Sequence, residues 1–490
     1  MTADLDRPRA RAPRGFEDRR GRGVGLELTI LEAVSRVYES YGFEILESGA
    51  FEYADAIGRF LPDADRPNDG VFAVQDDDGQ WMALRYDLTA PLARYVAQNW
   101  ESLPKPFRRY AFGPVWRDEK PGPGRYRQFL QCDADTVGSA RPEADAEIVA
   151  MAIDAYAAAG LGRDDYVLKI NNRKLLNGLL TAAGVSHAGQ KLAVLRAVDK
   201  LDRLGVPGVR ALLGAGRRDE SGAFTQGAEL RPLAIDAVLS FLNSGSESRA
   251  ATLSDLAGTL AGSKEADEGL AELACIDAAL TNLGIDQTQA VFAPSVVRGL
   301  EYYTGAVFEA EFSISTGTAE GGRPHFGSIG GGGRYDDLVA RFTGEPMPAT
   351  GFSFGVSRLA AALEATGYLD HDRPRGPVVV IAFDQSRMAN YFDLARELRS
   401  AGIAAEVYLG SSGMRAQMKY ADRRLSPAAV ILGDDEIEAG AVTIKDLDLG
   451  RALAGGVGDN RAWREERPGQ VTVPRLAFVA AVRRIVEAGP

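Results

Sequence analysis

Residues 110–135 constrain this 490-residue chain more tightly than any other stretch. Tyr110-Ala-Phe-Gly-Pro-Val-Trp116 is rich in aromatic and branched side chains and reads as a strand. Lys120-Pro-Gly-Pro-Gly124 cannot extend it, because its prolines lack a donor and its glycines favour turns. A second strand is expected from Tyr126 to Ala134. The pattern predicts a hairpin with a long basic loop: Arg117, Lys120, Arg125 and Arg127 surround it, with Glu119 among them. Guanidinium forks bind phosphate and a ring such as Phe129 can stack on a base, so the arrangement suits a nucleotide. A charged surface hairpin with a solvated tip is the plain alternative.

The stretch resembles motif 2 of the class II aminoacyl-tRNA synthetases. Arg117-Asp-Glu119, a loop, then Arg125 and Phe129 match it. The run Gly124-Arg-Tyr-Arg-Gln-Phe129, followed by Gln131 and Asp135, resembles the histidyl-tRNA synthetase family in particular. The resemblance implies that Arg117 binds the α-phosphate of ATP, Glu119 holds the adenine and Phe129 stacks on it.

Further segments extend the resemblance. Leu28, Leu31, Val34, Val37 and Tyr38 stand at helical spacing between Leu26 and Tyr41, Gly42 ends the helix, and Phe43-Glu-Ile-Leu46 reads as a strand. A helix followed by a strand resembles motif 1, the dimer-forming element, although Ser48-Gly49 stands where the family usually has proline. Val71–Val74 and Trp81–Leu84 flank the acidic turn Asp76-Asp-Asp-Gly79 and predict a second hairpin. Asp87 and Thr89 are suited to cap a helix from about Ala90 to Asn99. Many histidyl-tRNA synthetases carry the same Arg-Tyr-Asp-Leu-Thr string, whose Asp and Thr hold the substrate α-ammonium.

Pro142–Leu161 reads as an alanine-rich helix and Tyr166–Ile170 as a strand, with Asn171-Asn-Arg-Lys174 capping the next helix. Phe292–Val297 is an expected strand leading into Arg298-Gly-Leu-Glu-Tyr-Tyr-Thr-Gly305, and Val307–Phe312 is another. In Ser328-Ile-Gly-Gly-Gly-Gly-Arg-Tyr-Asp336 the glycines read as a turn where backbone approaches a ligand, ahead of a helix at 337–342. These two segments resemble the signature motifs of histidyl-tRNA synthetase. Phe352-Ser-Phe-Gly-Val-Ser-Arg358 resembles motif 3, a strand running into a helix whose Arg binds the γ-phosphate. The family commonly has Glu where Ser357 stands.

The expected fold class is an α+β catalytic domain, with an antiparallel sheet flanked by helices as in class II synthetases. A helical insertion and a small C-terminal α/β domain accompany it. Residues 1–13 read as a disordered tail, 14–174 and 289–370 as the catalytic domain, and 175–288 as the helical insertion, where aromatics thin out and helical periodicity repeats. Residues 371–376 form a proline-rich linker. Over 377–490 strands and helices alternate, which resembles the anticodon-binding domain of this family.

No apolar run approaches the length of a membrane span, and the first residues have no signal-like apolar core. Two cysteines, Cys132 and Cys275, cannot build a disulfide framework, so a cytoplasmic location is expected. His187, His325 and His371 lack metal-ligand spacing, so no protein-held metal is expected. A net charge of −12 argues against a general nucleic-acid binder, and no DNA partner is expected, yet local basic patches can still hold an RNA.

The resemblance implies activation of L-histidine by ATP to histidyl-adenylate and transfer to the 3′ end of tRNA(His), by a homodimer. Magnesium is expected with ATP, held mainly by phosphates and water. Arg298 and Arg117 are the implied catalytic cations, with Arg117, Glu119, Arg125, Phe129 and Arg358 binding ATP. Asp87, Thr89 and Gln131 would hold the amino group, and Asp135, Tyr302 and Tyr303 would line the side-chain pocket. Asp135 and Tyr303 are expected at the two imidazole nitrogens; many bacterial relatives have Glu at the Asp135 position. The rival is the catalytically inactive, synthetase-like regulatory subunit of ATP phosphoribosyltransferase, which generally lacks the C-terminal domain and parts of the signature motifs.

Overall fold

An eight-stranded sheet built around the long hairpin dominates the computed structural model, which describes residues 9–57, 70–122, 126–219, 222–246, 248–260, 262–297, 303–313, 327–367, 375–454 and 469–489. From edge to edge its strands are Glu44–Ile45, Phe107–Trp116, Gln128–Val137, Ala349–Phe354, Ser328–Arg334, Ala306–Phe312, Tyr166–Asn172 and Ala290–Phe292. The six central strands pair antiparallel, and each edge strand adds in parallel. The hairpin strands are ten residues each, longer at their far ends than the expected boundaries.

Strand alternation separates two environments. Cys132 and Ala134 join the hydrophobic core behind the sheet, with Tyr156, Phe352 and Phe354. The helices Arg22–Ser40, Pro142–Ala158 and Val356–Thr366 cover that side. In the first of these, Ile30, Val34 and Tyr38 recur every four residues and are buried, and Gly42 follows it at φ 81°, where a side chain would be strained. Pro142 opens the second helix at a position that needs no N–H. The ring of Tyr156 stacks on Phe354 at 4.4 Å, and each such buried aromatic contributes roughly 2–3 kcal/mol.

The glycine run departs from the expected turn: Ser328–Arg334 is itself a strand in the middle of the sheet, paired on both sides. Its glycines leave room on both faces. A Cβ at Gly330 would meet the Tyr156 hydroxyl at 2.3 Å on the helix side, whereas Gly331 opens toward the other face.

The chain divides into two compact units, Met1–Leu369 and Asp370–Pro490. Residues 175–288 are mainly helical, with one short ribbon, Gly216–Arg218 against Phe224–Gln226, that the sequence did not suggest. The helix Lys264–Asn282 packs on Pro142–Ala158 and Arg173–Ala182, and Leu273, Ile276 and Leu280 share one core with Ile148 and Met151. In the second unit a five-stranded sheet has Val378–Val380 at its parallel centre and Ala441–Asp446 and Gln470–Pro474 added antiparallel. It has its own core, including Val380, Tyr391, Leu394 and Phe478.

Candidate active site

The front face of the hairpin is the floor of a cleft of about 540 Å³. Phe129, Gln131 and Asp133 project from one strand at a spacing of two and all border it, with Asp87, Thr89, Arg117, Glu119, Tyr303, Gly331, Ser353 and Arg358. Register fixes the neighbours: Asp133 lies between Ala111 and Ser353, and Asp135 between Arg109 and Gly351.

One end of the cleft carries cations and a ring. Arg117 Nε donates to the Tyr86 carbonyl at 3.0 Å, and its guanidinium lies over Phe129 at 5.2 Å. Glu119 is exposed beside them, and Arg358 enters from the start of the helix Val356–Thr366. The arrangement offers a stacking surface flanked by guanidinium groups, which suits a base with its phosphates.

The other end carries carboxylates. Asp87 Oδ1 accepts the Thr89 and Ala90 N–H groups at 3.1 and 2.9 Å, so it caps the helix Thr89–Asn99 while bordering the cleft. Burial raises its pKa, opposed by the Ala90 N–H and by Arg117. Gln131 Nε2 donates to Ser353 Oγ at 2.7 Å, while Gln131 Oε1 is buried without a partner.

Three acids, Asp87, Asp133 and Asp135, crowd this end. Asp135 does not border the cleft. Its carboxylate lies 2.8 Å from Arg109 Nη2 and accepts from the Tyr335 hydroxyl, with the side chain 3% exposed. An aspartate, one methylene shorter than glutamate, is held back by that buried arginine. Asp133 is the acid that faces the cleft. It is 1% exposed and neither oxygen has a well-formed hydrogen bond, although Ser353 is near enough to lower its pKa slightly. Burial first, then Asp135, pushes the Asp133 carboxyl up to about 7, against the pull of Arg109. Tyr303 is raised as well, by burial and then by Asp135, Asp133 and Asp87. Its ring lies against Gly333, whose Cβ would fall 2.9 Å from the ring.

Of the sequence-derived site residues, Asp87, Thr89, Arg117, Glu119, Phe129, Gln131, Tyr303 and Arg358 come together in this one cleft. Arg125, Arg298 and Tyr302 lie outside the described residues. Asp133, Arg109 and Ser353 were missed. Asp133 was legible, since it shares the alternation of Gln131 and Asp135, but Arg109 becomes its neighbour only through strand register.

Comparison with known proteins gives consistent matches. Residues 15–359 match the family described as histidyl-tRNA synthetase, and residues 377–457 match an anticodon binding domain. A histidine–tRNA ligase of Caulobacter vibrioides is 71% identical over 99% of this chain and 100% of its own length. One from Brucella ovis is 52% identical over 100% of this chain and 98% of its own. Among solved structures, the histidyl-tRNA synthetase of Nostoc sp. PCC 7120 superposes with a TM-score of 0.72 at 28% identity, covering 98% of this chain and 100% of that one. A Bacillus halodurans protein described as an ATP phosphoribosyltransferase regulatory subunit/histidyl-tRNA synthetase has a TM-score of 0.66 at 22% identity. It covers 84% of this chain and 97% of that one, and this likeness concerns the fold alone.

Proposed function

Because the chain belongs to the histidyl-tRNA synthetase family, we propose that its cleft activates L-histidine with ATP at the residues described above. The protein is an enzyme that joins histidine to tRNA. One observation carries the assignment of the cleft: a stacking ring with two guanidinium groups and the buried, unpartnered carboxyl of Asp133 share a single cavity.

In this reading Phe129 stacks on the adenine, Glu119 accepts from its amino group, and Arg117 and Arg358 hold the α- and γ-phosphates. Attack of the histidine carboxylate on the α-phosphate needs in-line positioning and fixed cations rather than covalent help. Arg298, by resemblance, adds a further cation at the reaction centre, and Arg125 and Tyr302 keep the roles that the resemblance implies. Asp87, Thr89 and Gln131 hold the α-ammonium. Asp133 accepts the imidazole N–H and the Tyr303 hydroxyl meets the other ring nitrogen, while Asp135 and Arg109 fix the field beneath them. Wrong amino acids leave those polar groups unpaired and are rejected on that ground. Among the described residues no three Asp, Glu, His or Cys side chains gather as a metal site, and magnesium would arrive on the phosphates of ATP.

The partners follow from the same reading. Arg415, Lys419 and Arg423 recur every four residues on the helix Met414–Arg423 and are exposed, a basic stripe suited to the phosphates of tRNA(His). Ile45 on the edge strand of the large sheet, Phe112 on the strand beside it, and Phe51 and Tyr53 on a separate three-stranded sheet are exposed, and these apolar side chains favour a homodimer. No helix among the described residues is long and apolar enough to cross a membrane. A cytoplasmic location is proposed because tRNA charging serves translation. The proposed domain division keeps 14–174 with 289–370 as the catalytic part, 175–288 as the insertion, and 377–490 as the anticodon-binding part.

ATP–pyrophosphate exchange is the decisive test. Exchange that depends on histidine and is not supported by other amino acids is expected; exchange indifferent to histidine would overturn the assignment.

A further inference from the structure

The helix that carries Arg358 begins without a side-chain cap of its own, since Gly355 occupies the N-cap and offers no side-chain oxygen. Ser357 in its first turn is buried, and its hydroxyl makes three bonds, the longest accepted from Arg19. It accepts the Leu130 N–H at 2.9 Å and donates to Glu27 Oε1. Glu27 comes from the helix Arg22–Ser40 and is only 3% exposed. Arg19 Nη1 pairs with Glu27 and lies 3.4 Å from Ser357 Oγ.

A serine hydroxyl has one proton to give. With its oxygen already accepting from Leu130, the carboxylate of Glu27 decides where that proton points, and the bond becomes charge-assisted. The negative charge also sits at the first turn of an 11-residue helix, where the helix dipole favours an anion. Leu130 lies between Phe129 and Gln131, both of which border the cleft. One hydroxyl therefore ties the strand bearing the stacking ring to the helix start bearing Arg358.

Ser357 stands where the resemblance to motif 3 expects glutamate. We infer that Glu27 supplies, from the N-terminal helix, the carboxylate that this motif lacks, and that it is a positioning residue for ATP. It touches no substrate; it acts through Ser357 on Arg358 and on the strand at Phe129. The inference rests on the reading of the cleft as an ATP- and histidine-binding site.

Histidine-dependent ATP–pyrophosphate exchange on the full chain tests it, with KM for ATP and KM for histidine taken separately and the melting temperature recorded. Glu27→Ala is expected to raise KM for ATP about tenfold, the loss of one charge-assisted bond, and to leave KM for histidine near wild type. Adding Ser357→Glu should restore KM for ATP, because the longer side chain places a carboxylate in the volume that Glu27→Ala vacates. A merely structural role would lower the melting temperature and would not be relieved for ATP alone. If Glu27→Ala does not fold, Glu27→Gln keeps the shape without the charge and should show the same ATP effect. A folded Glu27 variant with wild-type KM for ATP, a matching rise in KM for histidine, or a double variant no better than the single would overturn the inference alone. A wild-type chain without histidine-dependent exchange would overturn the reading of the cleft and this inference with it.

Discussion

Arg109 Nη2 lies 2.8 Å from Asp135 Oδ2, its partner across the hairpin, with the two side chains 0% and 3% exposed. This arginine also offsets the charges of Asp133 and Asp87. Removing it takes one buried cation away from three buried carboxyl groups. Arg109→Leu is expected to lower stability by roughly 3–5 kcal/mol. The loss should be smaller at mildly acidic pH, where Asp133, already pushed up to about 7, takes a proton. Urea midpoints of wild type and variant at two pH values check both statements.

Asp133 gives a second pH signature. Its folded-state pKa lies above the ordinary carboxylate value, so its contribution favours folding at low pH and is lost as pH rises toward and through about 7. Each unit of that rise corresponds to about 1.4 kcal/mol against the charged folded form. Asp133→Asn should therefore flatten the decline of the melting temperature with pH in the ligand-free protein. The same variant should weaken histidine binding by roughly 1.5–3 kcal/mol and leave ATP nearly untouched, as calorimetric titration of each ligand would show.

Two adjacent glycines should respond differently to the same methyl group. Gly330→Ala drives a Cβ to 2.3 Å from the Tyr156 hydroxyl and 2.9 Å from the Phe352 ring in a packed core. A cost of roughly 1–3 kcal/mol in stability is expected. Gly331→Ala meets only the Phe308 carbonyl, at 3.2 Å, and faces the cleft. It should lower exchange activity with little change in melting temperature. Paired thermal melts and exchange rates distinguish the two.

Arg298 enters through resemblance, and its role is open to direct test. Arg298→Ala should slow adenylate formation by about two to three orders of magnitude, the usual loss for one preorganised electrostatic group, with a modest change in histidine affinity. Single-turnover kinetics measure it. A variant near the wild-type rate would remove Arg298 from the mechanism.

The second unit has its own core, so it can be removed as a unit. A chain ending at Leu369 should retain histidine-dependent exchange and lose most charging of tRNA. Aminoacylation and exchange assayed on the same preparation compare the two steps.

The sequence by itself determined the long hairpin, with Arg117, Glu119, Phe129 and Gln131 along it, and most of the strand-and-helix order; Arg358 entered through the resemblance, and folding brings it to them. The hairpin and that order follow from local composition, turn chemistry and strand periodicity, which act over a few residues. The family resemblance then assigned chemistry to them. Only the tertiary structure decided which acid meets the cleft. Asp133 and Asp135 are alike in periodicity, and it is the register across to Arg109 and Gly351 that withdraws one and leaves the other facing the cavity. The glycine run likewise reads locally as a turn, because glycine's freedom is a local property. It becomes a central strand because Ala306–Phe312 and Ala349–Phe354 pair with it on both sides and the Tyr156 ring needs the space behind it. The substitution of Ser357 for glutamate was visible in the sequence, but its partner Glu27 lies 330 residues away, a distance that only folding closes.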